Sequence, residues 1–206
     1  MVGNSFTIGL QPVFSSLVAQ SPEKSTVIDR DAVGGNRMKD HYNRSSVTQK
    51  INSGNYDVVI LQGHSQDTTE TTADFRQYTG LMIERVRNAG AEPVLFMTWR
   101  YSGNGGPDFN KIKSEYESIG NQYNVKVIPA GMIINTVRDR DGSLNLYQDT
   151  IHLNNTGNYA VAAGFYEFFS GKQASESSYT AGLGASTISF LRQAAHDTIS
   201  SYGVFF

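Results

Sequence analysis

Short apolar runs ended by turn residues recur along the chain, and stretches of mixed polarity fill the gaps between them. Tyr56–Leu61 is the clearest run and leads into Gln62-Gly63, while Pro93–Thr98 and Val125–Ile128 repeat the pattern. Because apolar residues are adjacent rather than alternate, these runs predict strands buried on both faces, as in parallel sheets. Ser25–Ile28 is expected as a further strand, and Met1-Val2 as the remainder of another. Between them the apolar period becomes helical. In 73–89 the stripe Tyr78, Leu81, Met82 and Val86 stops at Gly90, a residue suited to a left-handed helix cap. The stretch 108–123 follows Pro107 and aligns Ile112, Tyr116 and Ile119; 156–169 aligns Tyr159, Ala162, Ala163, Tyr166 and Phe169. The last helix is expected over 187–202, after a Ser- and Gly-rich loop at 172–185.

Strand and helix alternating at these intervals predict an α/β architecture, a parallel sheet of about five strands with helices on both faces. The 206 residues suit one domain, spanning 1–206. Ligands of such sheets bind beyond the carboxyl ends of the strands. Ser5, Gln62-Gly63 and Trp99-Arg100 all fall there, each just after a predicted strand.

Composition narrows the function classes. Hydrophobic residues make up 39% and charged residues 17%, the balance of an ordinary folded protein. A formal net charge of −2 gives no electrostatic case for nucleic acid or an anionic membrane. No apolar run reaches the length of a membrane-spanning helix. The absence of cysteine removes disulfides, thiolate metal sites and cysteine nucleophiles together.

The chemistry lies near the two ends. Gly3-Asn4-Ser5 offers a hydroxyl, and Asp149-Thr150-Ile151-His152 offers a carboxylate and an imidazole three positions apart. A hydroxyl is a poor nucleophile at neutral pH. A positioned imidazole removes its proton, and a carboxylate fixes the imidazole's tautomer. Each piece is common alone: Gly-Asn-Ser also reads as a helix-start turn capped by Ser5 or Thr7. Together and in this order they resemble the SGNH (GDSL-type) hydrolases, serine esterases and lipases with a flavodoxin-like, three-layer α/β/α fold. The similarity is to the branch whose first block is GNS, and it runs along most of the chain. Gly3–Thr7 matches the first block, Gly34-Gly35 the second, Leu61–Ser65 the third, and Asp149–His152 with Gly157–Tyr159 the fifth.

The resemblance implies a nucleophile at Ser5, a general base at His152 and an orienting acid at Asp149. It implies an oxyanion hole made by the amides of Ser5 and Gly35 and a third-block side chain. That block departs from the family's Gly-x-Asn-Asp. Gln62 is the expected substitute, as in relatives with a Gln-Gly pair that include carbohydrate acetylesterases; otherwise Gln62 bonds a neighbouring loop. Glycine at position 35 suits a backbone N–H that must approach a ligand. The implied activity is hydrolysis of short acyl esters, acetyl above all, through an acyl-enzyme on a small-molecule or carbohydrate substrate. An acyltransferase, a lipase or lysophospholipase, and a non-catalytic glycan-binding domain are the alternatives. No cofactor is implied, and oligomeric state stays open.

His64, Trp99, Arg100 and Tyr101 are candidate substrate contacts, with core packing the other reading of Trp99. Tyr101–Gly106 reads as a rim loop shaping the acyl or alcohol pocket. His41 is expected on a helix surface or loop, and His196 in solvent beside the last helix's apolar stripe. No histidine pair has metal-ligand spacing, and Asp139–Gly142 lacks the closing Glu of a calcium loop and reads as a turn. No G-x-S-x-G elbow or P-loop occurs. No signal peptide is visible, but Met1-Val2 is short for a buried strand. The native chain is therefore expected to extend upstream, in which case export is open and the compartment undetermined.

Overall fold

The computed structural model of the chain describes residues 1–103, 105–203 and 206. Five strands form one parallel sheet: β1 (Val2–Gly3), β2 (Asp31–Ala32), β3 (Val58–Leu61), β4 (Glu92–Phe96) and β5 (Lys126–Ile128). Their order is β2-β1-β3-β4-β5, the flavodoxin-like arrangement, with helices flanking the sheet in the three-layer α/β/α class. Val59, Ile60 and Leu61 are buried in succession, as are Val94, Leu95 and Phe96, because both faces of these strands are covered.

The predicted strand at Ser25–Ile28 is a correction. Val27 is 90% exposed, and the chain turns there through a Thr26 N–H to Glu23 carbonyl bond. The strand forms later, at Asp31-Ala32, where the Asp31 and Val33 amides donate to the carbonyls of Met1 and Gly3. An aspartate is acceptable there because the Arg44 guanidinium holds its carboxylate at 2.8 Å. Pairing with β1, not hydrophobicity, selects this strand.

Helix α1 (Ser5–Ala19) follows β1 directly, and the hydrophobic pattern alone did not predict its length. It contains Pro12, which cannot donate to the Ile8 carbonyl one turn back. Arg30 donates to that carbonyl at 3.3 Å instead. Then come α2 (Met38–Asn43), α3 (Ser45–Asn52), the single turn α4 (Asp67–Glu70), α5 (Thr72–Asn88) and α6 (Phe109–Tyr123). After β5 come α7 (Ala130–Arg140), α8 (Asn155–Ser170) and α9 (Ala185–Tyr202).

Two compact units are distinguishable. The first comprises Met1–Ile8, Asp29–Arg100 and Gly105–Val127; the second comprises Gly9–Ile28, Tyr101–Asn104 and Ile128–Phe206. In the first, Met38, Val47, Phe75, Met82, Val86, Ile112 and Tyr116 are buried from α2, α3, α5 and α6. Gly120 of α6 sits so close to Val127 and the Val125 carbonyl that no larger residue fits. In the second, α7, α8 and α9 pack around Ile133, Tyr159, Phe165, Leu191 and Ile199. Phe14 of α1 meets Phe165 edge to face at 5.5 Å.

Candidate functional site

In a sheet ordered this way the connections reverse direction between β1 and β3, the point beyond whose carboxyl ends such sheets bind ligands. Ser5 follows β1 within two residues, and Gln62–Ser65 follows β3. The turn into α1 is built by Asn4. Its buried side chain accepts from the Phe6 amide at 3.1 Å and so caps the helix, while its own amide nitrogen donates to the Asn36 carbonyl at 3.3 Å. Ser5 is thereby the first residue of a 15-residue helix. The helix dipole favours negative charge at that point, which suits an alkoxide or a neighbouring oxyanion.

The loop after β2 supplies Gly35. A turn closed by the Asn36 amide on the Val33 carbonyl, 3.2 Å, holds Gly35 at φ 76°, a left-handed conformation that glycine adopts without strain. Gly35 is exposed, and among the described residues nothing lies within 4 Å of the position its Cβ would occupy.

Gln62 is fully buried. Its Oε1 accepts from the Asn4 amide and the Thr7 hydroxyl, each at 2.9 Å, and its Nε2 donates to the Gly63 carbonyl. These bonds fit the alternative reading of Gln62, in which it ties neighbouring loops together: they lie inside the protein and clamp β3 to the turn that carries Ser5. Gly3 allows the clamp, since any Cβ there would collide with Thr7 and Gln62.

Asp67 joins the β2 and β3 loops. Its carboxylate accepts from the Met38 amide (3.2 Å), the His64 amide (3.1 Å), Arg37 (3.2 Å) and the Thr71 hydroxyl (3.2 Å). Burial raises its pKa, and these donors oppose the rise. His64 is half-buried, and burial lowers its pKa. The sequence marked neither Asp67 nor Arg37; they stand far from the recognised blocks' named roles, and only the folded loops bring them together.

In the second unit, Asp149 and His152 form a pair, with Oδ2 2.8 Å from Nδ1. The other oxygen, Oδ1, accepts from the amides of Ile151 (2.8 Å) and His152 (2.7 Å). These two backbone bonds, and then the imidazole, lower the Asp149 pKa to about 2, so the carboxylate stays charged. The loop is closed by the Gln148 amide on the His152 carbonyl, 3.0 Å, and the Asn154 amide on the Leu146 carbonyl, 2.9 Å. Asn154 caps α8 through the Gly157 amide at 3.1 Å, and Asn158 donates to the Leu153 carbonyl at 3.0 Å. Gly157 lies against the Leu146 carbonyl with no room for a side chain. Gly157 and Asn158 thus hold the histidine loop onto its helix.

The remaining candidates divide. Trp99 is 1% exposed and stacks on Phe6 at 4.2 Å, which fits the core-packing reading of this residue. Arg100 is exposed. Tyr101 is half-buried, its carbonyl facing Arg138 at 3.5 Å. Ser102 binds the Thr150 carbonyl through both its amide (2.8 Å) and its hydroxyl (3.1 Å), tying the rim loop beside Asp149. Asn104 of that loop lies outside the described residues.

Comparison with protein-family models and with curated sequences returns no match. Solved structures do match. A DUF4886 family protein from Bacteroides uniformis aligns with 100% of this chain and 95% of its own, at 15% identity and a TM-score of 0.78. An acetyl xylan esterase aligns with 78% of this chain and 95% of its own, at 18% identity and a TM-score of 0.65. A protein from Slackia heliotrinireducens, provisionally named an SGNH hydrolase, aligns with 79% of this chain and 92% of its own, at 20% identity and a TM-score of 0.64. The chain has the SGNH-hydrolase fold.

Within that fold two further histidines depart from expectation. His41, expected on a helix surface or loop, is fully buried in α2, and neither ring nitrogen has a hydrogen-bond partner among the described residues. His196, expected in solvent, pairs through Nδ1 with the buried Glu167 of α8 at 2.7 Å. Both lie on helices whose packing partners are distant in sequence, so the local pattern carries no trace of the contact. Asp139 and Arg140, expected in a turn, end helix α7, and the turn follows at Asp141, which accepts from the amide (3.0 Å) and hydroxyl (2.6 Å) of Ser143.

Proposed function

We propose that the protein is an SGNH-type serine esterase that removes short acyl groups, acetyl foremost, from carbohydrate or other small alcohols. The observation that carries this reading is the Asp149–His152 pair, an imidazole held by a carboxylate at 2.8 Å. A proton fixed on Nδ1 leaves Nε2 as the basic nitrogen, the tautomer required of a general base. The placement of Ser5 at a helix N-terminus and of Gly35 in an open turn supports the rest.

In the proposed reaction His152 takes the Ser5 proton as Oγ attacks the ester carbonyl. The Ser5 and Gly35 amides stabilise the tetrahedral oxyanion. Collapse expels the alcohol, protonated by His152, and leaves an acyl-Ser5. Water, deprotonated by the same imidazole, then releases the acid. The acetyl preference is supported by the likeness in fold to an acetyl xylan esterase.

Fluorophosphonate labelling with mass-spectrometric mapping is the test. Ser5 should carry the adduct, and Ser5→Ala should lose several decades of kcat on p-nitrophenyl acetate, on the order of other triad deletions. Full activity in Ser5→Ala would refute the reading. In a series of p-nitrophenyl esters, rates should fall steeply beyond butyryl, and acetylated xylan should release acetate. A preference for decanoyl would remove the short-acyl assignment.

A further inference from the structure

With Gln62 committed to its clamp, the oxyanion hole proposed above has two backbone donors and no side chain from the β3 loop. We propose that the missing donor is the Nε2–H of His64, an inference that rests on the serine-esterase reading. The position follows from the ladder. Val2 of β1 is opposite Leu61 of β3, so Ser5 and His64 each stand three residues past that pair. They leave adjacent strands, about 5 Å apart, at the point where the sheet's connections reverse.

The ring is prepared for donation. Nδ1 accepts from the Gln66 amide at 3.2 Å, which puts the proton of the neutral imidazole on Nε2. Nε2 has no partner among the described residues, and the ring is only half-buried. The His64 amide donates to Asp67, whose same oxygen accepts from Met38, two residues beyond Asn36 and the Gly35 turn. One carboxylate therefore ties the backbone at His64 to the segment that follows the Gly35 turn. Arg37 and Glu70, paired at 2.8 Å, complete the charged surroundings. Burial and Arg37 favour the neutral ring, while Asp67 and Glu70 oppose it. A neutral imidazole can donate to an oxyanion without surrendering a proton, so His64 polarises the carbonyl while His152 transfers the proton.

The test compares His64→Gln, which retains an N–H on a stem of similar reach, with His64→Met, which fills space without a donor. The expected result is a 10²–10³-fold fall in kcat for His64→Met with KM changed by a few fold at most, as for loss of one oxyanion donor. His64→Gln should recover at least ten-fold of that, and the rate of fluorophosphonate labelling at Ser5 should follow the same order. A kcat for His64→Met within three-fold of the parent overturns the proposal, as does an equal fall in both variants. In either case Ser5 labelling in the parent still stands for the esterase reading. Absence of labelling in the parent sinks that reading and this proposal together.

Discussion

Single side chains in this protein are set apart by what already occupies them. Gln62 and His64 are two residues apart on one loop, yet the first spends its amide on Asn4, Thr7 and Gly63 while the second keeps a nitrogen unpartnered among the described residues. Asp149 is likewise defined by its bonds. Two backbone amides hold one oxygen, leaving the other to orient the imidazole. Asp149→Asn with its oxygen kept on the two backbone amides turns an N–H toward Nδ1. It should lower kcat by up to about 10⁴-fold, less than Ser5→Ala, with little change in KM. Because the Asp149 carboxyl titrates near pH 2, the acid limb of kcat/KM should reflect an imidazole instead. A limb centred near pH 2 would contradict that assignment.

At the scale of elements, close approaches decide where glycine is required. At Gly3 the backbone of β1 comes against Thr7 and Gln62, and at Gly157 the start of α8 comes against the Leu146 carbonyl. Gly157→Ala should destabilise by about 1–3 kcal/mol, since the obstacle is backbone and cannot swing aside. A thermal melt unchanged by that substitution would refute the packing argument. Gly3→Ala should cost activity as well as stability, because displacing Gln62 releases the turn that holds Ser5. In α9, Arg192 donates to the Tyr159 hydroxyl (2.8 Å) and to the carbonyls of Ser177 (2.9 Å) and Tyr179 (3.2 Å). Removing it takes the arginine donor from the Ser177 carbonyl, while the Tyr159 hydroxyl still donates to the Tyr179 carbonyl at 3.2 Å. Such a bond set explains how a Ser-rich loop stays ordered without an apolar core of its own.

For the molecule as a whole, acid stability should be governed in part by His41. Burial depresses its pKa to about 4, with Arg44 acting in the same direction and Asp40 and Asp31 opposing. The unfolded chain binds the proton near the ordinary value of about 6.5, so between those values the unfolded state holds more protons than the folded one. Stability is therefore complete above about pH 6.5 and declines as pH falls toward 4, by up to about 3 kcal/mol from this residue. His41→Leu should remove that share of the decline and leave neutral-pH stability equal or higher, since two unpartnered ring nitrogens disappear with it. Parallel pH–melting curves for the two proteins would refute the role.

The strands β3, β4 and β5 and the helices α5, α6, α8 and α9 were legible in the chain, because burial on two faces or one leaves a period in the sequence. The pairing of Asp149 with His152 was legible for a similar reason, being a contact made within one turn of chain. The strand Asp31-Ala32, the buried His41, the Asp67 junction and the enclosed amide of Gln62 were not. Each depends on a partner from another segment, and no local pattern records which segments will meet. Residue type determined which chemistry was available; tertiary packing decided which partner each group took.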